Sequence, residues 1–371
     1  MASASFSYTS RDITTSSTCQ NFLIPINVTS IRFLLDIEIN DDWDAVDYIF
    51  NATRRDTLTA FQPIVGNVTA ASQYNIGATF CAPKTKGTKS ETVLLLTHGS
   101  MQGREYWNPA FSGSDPYNFV KHALNAGYSV FLYDRIGNGQ SSRPDPVTEV
   151  QYPVQVEMLT TLAKLVKTRQ SLYTLGVKVN KIVHVAHSFG SFIALSSTAS
   201  SPTGLVDGVV LTGFSGYFQW LSLFTSGGQA RVAALSQPSN WGSLPHGYLT
   251  PVDIYALSYG GFKSPYFDHG IAQSLFDQQY PFAIGELLSA GATVLNLSAI
   301  EVPVQVVEGA YDLTACGGNC IGVVNETASF FPNSKNVEVN GSFNAGHFLN
   351  YHYDPPQAFD LITSFVDKSG L

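Results

Sequence analysis

The chain has 371 residues, of which 44 % are apolar and 13 % charged, a composition typical of a packed globular protein and not of a disordered one. Its formal net charge of −8 at pH 7 disfavours binding to nucleic acid or to an anionic membrane. The longest clean apolar stretch, around Val93–Leu96, is far shorter than the roughly 20 residues of a membrane helix. We therefore expect no nucleic-acid partner and no stable membrane anchor, whereas the oligomeric state stays open.

The first part of the chain predicts an extension with strands of its own. Strand patterns at residues 19–28 and 31–39, the second with polar residues at alternate positions, predict a leading hairpin. Residues 40–72 have mixed periodicity, which indicates a surface excursion with at most one helix. A further strand is predicted at residues 74–81.

From residue 91 onward, buried strands alternate with helices, which predicts a mostly parallel sheet with helices on both faces. The predicted strands are 92–97, 128–133, a run from 181 to a turn at 186–190, 206–212, 302–308 and 336–340. The predicted helices are 116–126, 150–173, one that follows the turn at 186–190, and 356–368.

About ninety residues between the strands at 206–212 and 302–308 lack strand character. We interpret residues 213–299 as a helical cap inserted before the strand that carries the candidate acid, and residues 1–212 with 300–371 as the α/β core. Aromatic residues are concentrated in this cap segment, where they line a substrate pocket or form the segment's own small core. We expect an uncharged, largely apolar substrate.

Two features favour secretion over the alternative, a cytoplasmic chain. Asn-x-Ser/Thr sequons occur at Asn27, Asn51, Asn67, Asn296, Asn325 and Asn340. The even number of cysteines, four, agrees with a disulfide-bonded extracellular glycoprotein. Residues 1–7 lack the basic and apolar regions of a signal peptide, so we expect a mature chain from which the leader has been removed.

The four cysteines allow three connectivities. We favour a bond between Cys19 and Cys81, which would join the first strand to the strand at 74–81 across a long loop. Cys316 and Cys320 form a poor zinc site, because two ligands four residues apart lack a second pair. A short disulfide between them is the preferred interpretation, and it would restrain the loop that follows the candidate acid.

The most informative stretch is the turn Ala186–Gly190. An apolar run rich in β-branched residues ends there and an apolar helical pattern begins at once, which predicts a strand, a sharp turn and a helix. Such a turn strains its central residue, needs small neighbours, and exposes the serine oxygen at the carboxyl end of the strand. Ser188 is therefore the candidate nucleophile, although an ordinary turn serine is the plainer interpretation of such a residue alone.

A serine hydroxyl is a weak nucleophile near neutral pH, so it needs a base and a group that orients the base. Asp312 and His347 follow two later predicted strands, and function collects at the carboxyl ends of parallel strands. Ser188, Asp312 and His347 also follow the chain order of α/β-hydrolases. We interpret His347 as the base and Asp312 as its orienting acid. Asp134 also ends a strand, but its Gly-x-Gly turn favours a role in backbone geometry.

Five stretches, taken together and in this order, resemble the α/β-hydrolase superfamily. They are His98-Gly99, Asp134–Ser141, Ala186–Gly190, Pro303–Asp312 and Gly346-His347. The resemblance covers residues 91–371 and implies an α/β-hydrolase fold. One departure is Ala186, where the family usually has glycine. The cysteine-bearing leading strands and the sequons resemble secreted fungal members.

The resemblance implies a serine hydrolase that acts on a carboxylic ester or lactone, with no cofactor and no metal. It further implies that backbone N–H groups of Phe189 and Ser100 bind the oxyanion, each worth about 3 kcal/mol in the transition state, with Met101 as the alternative to Ser100. Two other functions keep the same three residues: hydroxynitrile or C–C bond cleavage, and acyl transfer to an acceptor other than water. A ligand-binding receptor is a further alternative. Gly-Asn-Gly at 137–139 lacks the third glycine of a dinucleotide-binding motif.

Overall fold

A computed structural model describes residues 17–54, 56, 60–168 and 173–371. Its strands are β1 (Ser17–Leu35), β2 (Ile64–Pro83), β3 (Thr92–Thr97), β4 (Ser129–Tyr133), β5 (Lys181–His187), β6 (Gly208–Thr212), β7 (Arg231–Val232), β8 (Tyr248–Thr250), β9 (Phe282–Ala283), β10 (Val304–Gly309) and β11 (Val337–Phe343). Its α-helices are α1 (Asp42–Ala52), α2 (Phe119–Asn125), α3 (Tyr152–Thr168), α4 (Phe189–Ser200), α5 (Leu221–Gly228), α6 (Ala233–Ser236), α7 (Pro238–Trp241), α8 (Ile254–Gly261), α9 (His269–Asp277), α10 (Ile284–Gly291), α11 (Leu313–Cys316), α12 (Val323–Thr327) and α13 (Pro355–Lys368). Short 3₁₀ helices lie at Thr88–Glu91, Arg104–Tyr106, Asp115–Tyr117, Leu297–Ala299, Ala328–Phe330 and Leu349–Tyr351.

An eight-stranded sheet with the order β1-β2-β4-β3-β5-β6-β10-β11 forms the centre of the protein. The six neighbouring strands β4-β3-β5-β6-β10-β11 pair in parallel. β2 pairs antiparallel with β4, and β1 pairs antiparallel with β2. All residues of β3, β4, β6 and β10 are buried, because helices cover the sheet on both faces, and their apolar side chains form two core clusters. The predicted α/β-hydrolase architecture is thus confirmed.

The register of the parallel strands brings their carboxyl ends to one edge of the sheet. Thr97 at the end of β3 pairs with Ala186 of β5, and His187 at the end of β5 pairs with Thr212 at the end of β6. Gly309 at the end of β10 pairs with Phe343 at the end of β11. The loops that follow these strands therefore lie side by side.

The predicted leading hairpin is wrong. Residues 17–35 form a single strand of 19 residues, and its antiparallel partner is β2 over nearly its whole length. Buried and exposed positions alternate without interruption from Ile24 to Arg32, and Thr29-Ser30 lacks the glycine that a tight two-residue hairpin turn favours, so the strand continues through this pair. Residues 40–72 contain α1, as predicted, and also the first part of β2.

The cap segment, residues 213–299, contains the helices α5 to α10, but it also contains strands β7, β8 and β9, which form a three-stranded antiparallel sheet. Strands of two or three residues are too short to show a period in the sequence, which is why they were not predicted. The domain boundaries at 212/213 and 299/300 stay a proposal. Among the described residues, no helix is long and apolar enough to span a membrane.

Both preferred disulfides are present, so the expected connectivity is confirmed. Cys19 of β1 and Cys81 of β2 are direct cross-strand partners and are 62 residues apart in the sequence. Cys316 ends α11 and bonds to Cys320, four residues further on. The two bonds therefore close loops of very different length.

We expect the C19A/C81A variant to lose more stability than the C316A/C320A variant. Loop-closure entropy assigns about 4 kcal/mol to the first disulfide and about 2 kcal/mol to the second. Denaturant unfolding of both variants beside the wild type measures this order. A loss of equal size in the two variants would contradict the entropic origin.

Candidate active site

Ser188 occupies a strained turn between β5 and α4. Its backbone has φ 55° and ψ −123°, and its N–H donates to the carbonyl of Thr212 at 2.8 Å. A Cβ atom at Gly190 would lie 2.6 Å from the carbonyl oxygen of His98, so only glycine fits where the turn packs against the end of β3. Ala186 is completely buried in β5, and its methyl group is accommodated. The turn thus holds the Ser188 side chain at the strand edge.

The structure brings Ser188, His347 and Asp312 together. His347 Nε2 lies 2.8 Å from Ser188 Oγ, and His347 Nδ1 lies 2.7 Å from Asp312 Oδ2. Asp312 Oδ1 accepts the N–H of Ala315 at 2.7 Å, at the start of α11. Asp312 is fully buried and His347 is 2 % exposed, whereas Ser188 is half-buried and lines a cavity. The three side chains therefore form one hydrogen-bonded chain that ends at the cavity.

Asp312 is the ionised member of this chain. Burial raises the pKa of the Asp312 carboxyl. The charge and hydrogen bond of His347 and the N–H of Ala315 together lower this pKa by more, so that it lies below its ordinary value. An ionised carboxylate only accepts hydrogen bonds, so His347 Nδ1–H donates to Asp312. His347 Nε2 is left to accept from the Ser188 hydroxyl.

The loop after β3 packs directly on the Ser188 turn. A Cβ atom at Gly99 would lie 2.9 Å from Cβ of Ser188. The carbonyl of Gly99 accepts hydrogen bonds from Arg135 Nη2 at 3.1 Å and from His98 Nδ1 at 2.9 Å. Because the C=O and N–H of a trans peptide point in opposite directions, these bonds turn the N–H of Ser100 away from Arg135. Ser100 lines the same cavity as Ser188.

His98 supports that loop as a neutral imidazole. Its Nε2 accepts the N–H of Arg135 at 3.0 Å, so the ring proton lies on Nδ1 and is donated to Gly99. Burial, and secondarily the charge of Arg135, hold the pKa of His98 well below its ordinary value. Arg135 itself is fully buried and forms an ion pair with Glu286 of α10 at 3.2 Å. The cap segment and the Gly99 loop therefore contact the same guanidinium group.

Asp134, the rival acid, does not reach His347. Its carboxylate accepts the N–H of Arg104 at 3.0 Å and the N–H of Gln140 at 2.9 Å. A Cβ atom at Gly139, where φ is +50°, would lie 2.2 Å from this carboxylate. Asp134 thus fixes the conformation of the turn after β4, the structural role that the sequence favoured.

A cavity of about 560 Å³ opens beside Ser188 between the core and the cap segment. Phe189 and Met101 line it close to Ser188, and its walls are mostly apolar. Residues further along its wall include Phe192, Phe218, Phe224, Phe282, Leu287 and Leu295. Other aromatic residues of the cap segment point elsewhere: Tyr255 is 78 % exposed and Tyr259 is 58 % exposed. Only part of the aromatic cluster seen in the sequence therefore forms the pocket.

His352, which holds the loop that carries His347, was not predicted from the sequence. His352 Nε2 accepts the N–H of Gly346 at 2.9 Å and the N–H of Lys263 at 3.1 Å, while its Nδ1–H donates to Phe348. One imidazole thus joins the loop after β11 to the cap segment. No motif marks His352, because all three of its partners are backbone groups that tertiary packing brings to it.

His187 lies behind the site. Its ring stacks on Tyr106, with centroids 4.4 Å apart, and is 4.9 Å from the ring of His347. Its Nδ1 is 3.0 Å from Thr212 Oγ1. It packs against His347 from the protein interior and is not part of the cavity wall. Among the residues that the structure describes, no group of three or more His, Cys, Asp or Glu side chains could hold a metal ion.

The sequence matches the alpha/beta hydrolase family over residues 93–359, well over half of the chain. Similar solved structures include a thermophilic esterase from Thermogutta terrifontis, at 13 % identity and a TM-score of 0.55, covering 84 % of this chain and 97 % of that one. A bromoperoxidase from Bacillus anthracis has 16 % identity and a TM-score of 0.55, over 80 % of this chain and 96 % of that one. An esterase from Exiguobacterium antarcticum has 15 % identity and a TM-score of 0.52, over 79 % and 96 %. No curated protein matches the sequence significantly.

These solved structures share the fold with this protein, and the family match defines its class. The protein is an enzyme of the α/β-hydrolase class. The chain belongs to the alpha/beta hydrolase family, as its five sequence stretches predicted. The narrower resemblance to secreted fungal members stays a prediction.

We expect His352 to make the free energy of unfolding depend on pH. Burial lowers the pKa of His352 from 6.5 to about 4, so the unfolded chain binds a proton between these values that the folded protein excludes. The contribution of His352 to the free energy of unfolding is therefore fully present above pH 6.5. It falls by up to about 1.4 kcal/mol per pH unit as the pH drops towards 4. Unfolding free energies of wild type and H352Q across this range measure the effect. Equal slopes for the two proteins would contradict it.

Proposed function

We propose that the protein is a serine hydrolase that cleaves a carboxylic ester or lactone of a largely apolar substrate. The observation that carries the proposal is the hydrogen-bonded chain from Ser188 through His347 to Asp312, which ends at an apolar cavity. Family membership and the esterases among the similar structures favour ester chemistry. The proposal assigns no role to a cofactor or a metal ion.

In the proposed reaction, Ser188 Oγ attacks the substrate carbonyl while His347 Nε2 takes the hydroxyl proton. Asp312 holds the imidazole in the tautomer that can accept this proton, and its charge stabilises the imidazolium that forms. His347 then returns the proton to the leaving alcohol. Water, activated by the same imidazole, releases the acyl group from Ser188.

The negative charge that develops on the carbonyl oxygen needs preorganised donors. We assign this role to the backbone N–H groups of Phe189 and Ser100. Phe189 begins α4, so its N–H is not used inside the helix. The bonds from Arg135 and His98 to the carbonyl of Gly99 fix the peptide that carries the Ser100 N–H. Met101, which has φ 61° and also lines the cavity, stays the alternative to Ser100.

The cap segment, residues 213–299, would provide the apolar binding wall and close the site over the core. A cavity of about 560 Å³ is within the range of small-molecule sites and has room for a sizeable acyl or ring group. Extracellular location is part of the proposal. The two disulfides are consistent with it, and five of the six sequon asparagines are exposed, Asn340 being half-buried.

We expect S188A to lose labelling by a fluorophosphonate probe and to hydrolyse p-nitrophenyl esters at least about 10⁴-fold more slowly than wild type. S200A, on the exposed end of the same helix α4, is the matched control and should react as wild type does. A wild-type protein that the probe does not label would refute an activated serine. Labelling without ester turnover would instead favour cleavage of C–C bonds, acyl transfer or a receptor.

Acyl-chain length tests the pocket. Because each buried methylene group contributes about 0.8 kcal/mol, we expect kcat/KM to rise about fourfold per methylene until the cavity is full. A290F places a ring in the cavity and should move the optimum to shorter chains while acetate ester turnover is retained. A292F, exposed two residues further on, should leave the optimum unchanged. A series of p-nitrophenyl esters provides the measurement, and an unchanged optimum in A290F would exclude this cavity as the acyl pocket.

A further inference from the structure

A second acidic side chain lies behind the Ser188–His347–Asp312 chain. Glu308 precedes Gly309 at the end of β10, and it is 1 % exposed. Its Oε1 accepts the N–H of Phe214, and its carboxyl group is hydrogen-bonded to the carboxyl group of Asp312. The reaction steps described above give Glu308 no role.

Two buried carboxyl groups that are hydrogen-bonded to each other share a proton, because two adjacent negative charges in a nonpolar interior are too costly. The shared proton belongs to Glu308. Burial raises the pKa of Glu308 well above its ordinary value, and the negative charge of Asp312 raises it further. Asp312 stays ionised because His347 and the N–H of Ala315 stabilise its negative charge.

Glu308 is thus a hydrogen-bond donor to Asp312, beside the imidazole N–H of His347 and the amide N–H of Ala315. We propose that Glu308 is a positioning residue, a neutral carboxylic acid that orients the Asp312 carboxylate towards His347 without adding a second negative charge. The proposal rests on the proposed function of these three residues. Glu308 itself does not touch the reacting atoms.

The neutrality of Glu308 matters for the base. The titratable groups around it are Asp312 after β10, His347 after β11, and Tyr106 after β3, and burial raises the pKa of Tyr106. His187, beside His347, stays neutral because burial lowers its pKa. With no cation in this set, an ionised Glu308 would stabilise the imidazolium of His347. An imidazolium has no free lone pair and cannot accept the proton of Ser188.

Two variants of equal length separate these possibilities. E308Q keeps an N–H donor for Asp312 and an oxygen acceptor for the Phe214 N–H, so we expect kcat and its pH dependence close to wild type. E308M fills similar space but offers neither group. We expect kcat to fall about 10- to 100-fold with little change in KM, because a hydrogen bond to a charged group is lost.

The pH profile distinguishes positioning from loss of packing. In E308M the Asp312 carboxylate has one donor fewer and attracts the imidazolium more strongly, so the acid limb of kcat/KM should move to higher pH. A purely structural defect would lower activity without moving that limb. A limb that moves to lower pH in E308Q would show that Glu308 is ionised in the wild type, and would overturn the proposal. Wild-type kcat in E308M would overturn it as well.

Infrared spectroscopy tests the protonation state without any turnover. The difference spectrum between wild type and E308Q at neutral pH should contain the carbonyl band of a protonated carboxylic acid, and its absence would refute a neutral Glu308. Because this band does not depend on ester hydrolysis, it also separates the two proposals. Failure of the fluorophosphonate probe to label wild type would refute the activated serine, whereas a missing band would refute Glu308 alone.

Discussion

The shared edge of the parallel strands is the constraint on which the candidate site depends. β3, β5, β6, β10 and β11 end next to one another, and each contributes a loop to the site. Ser188 and His347 are 159 residues apart in the sequence, yet their side chains lie 2.8 Å apart because strand register aligns the loops that carry them. A shift of one residue in the pairing register of a strand would turn the side chains of that strand to the other face of the sheet and displace the loop that follows it.

The site is built from buried polar groups whose charges are balanced locally. Asp312 is ionised against His347, while Glu308, next to it, is neutral. His98 and His352 are neutral imidazoles that accept hydrogen bonds from backbone N–H groups. Each of these groups has a partner, which limits the cost of burying it. The same partners fix backbone segments, so electrostatics and geometry are set by one network.

Much of the fold and the candidate residues could be predicted because their signals are local. The run of β-branched residues before Ser188 and the helical pattern after it define the turn, and Asp312 and His347 stand directly after predicted strands. The prediction was wrong where the signal depended on a partner: residues 17–35 pair with β2 and not with themselves. Strands β7 to β9 and the role of His352 were missed because they are defined by contacts between distant segments.

By itself, the sequence determined the alternation of strands and helices, the strained serine turn and the two strand-end residues that follow it. These features arise from local periodicity and backbone sterics, which a short stretch of residues specifies. Only the tertiary structure decided that Asp312, and not Asp134, meets His347, and that Glu308 lies against Asp312. The physical reason is that hydrogen bonding and the protonation state of buried carboxyl groups depend on which groups surround them in space.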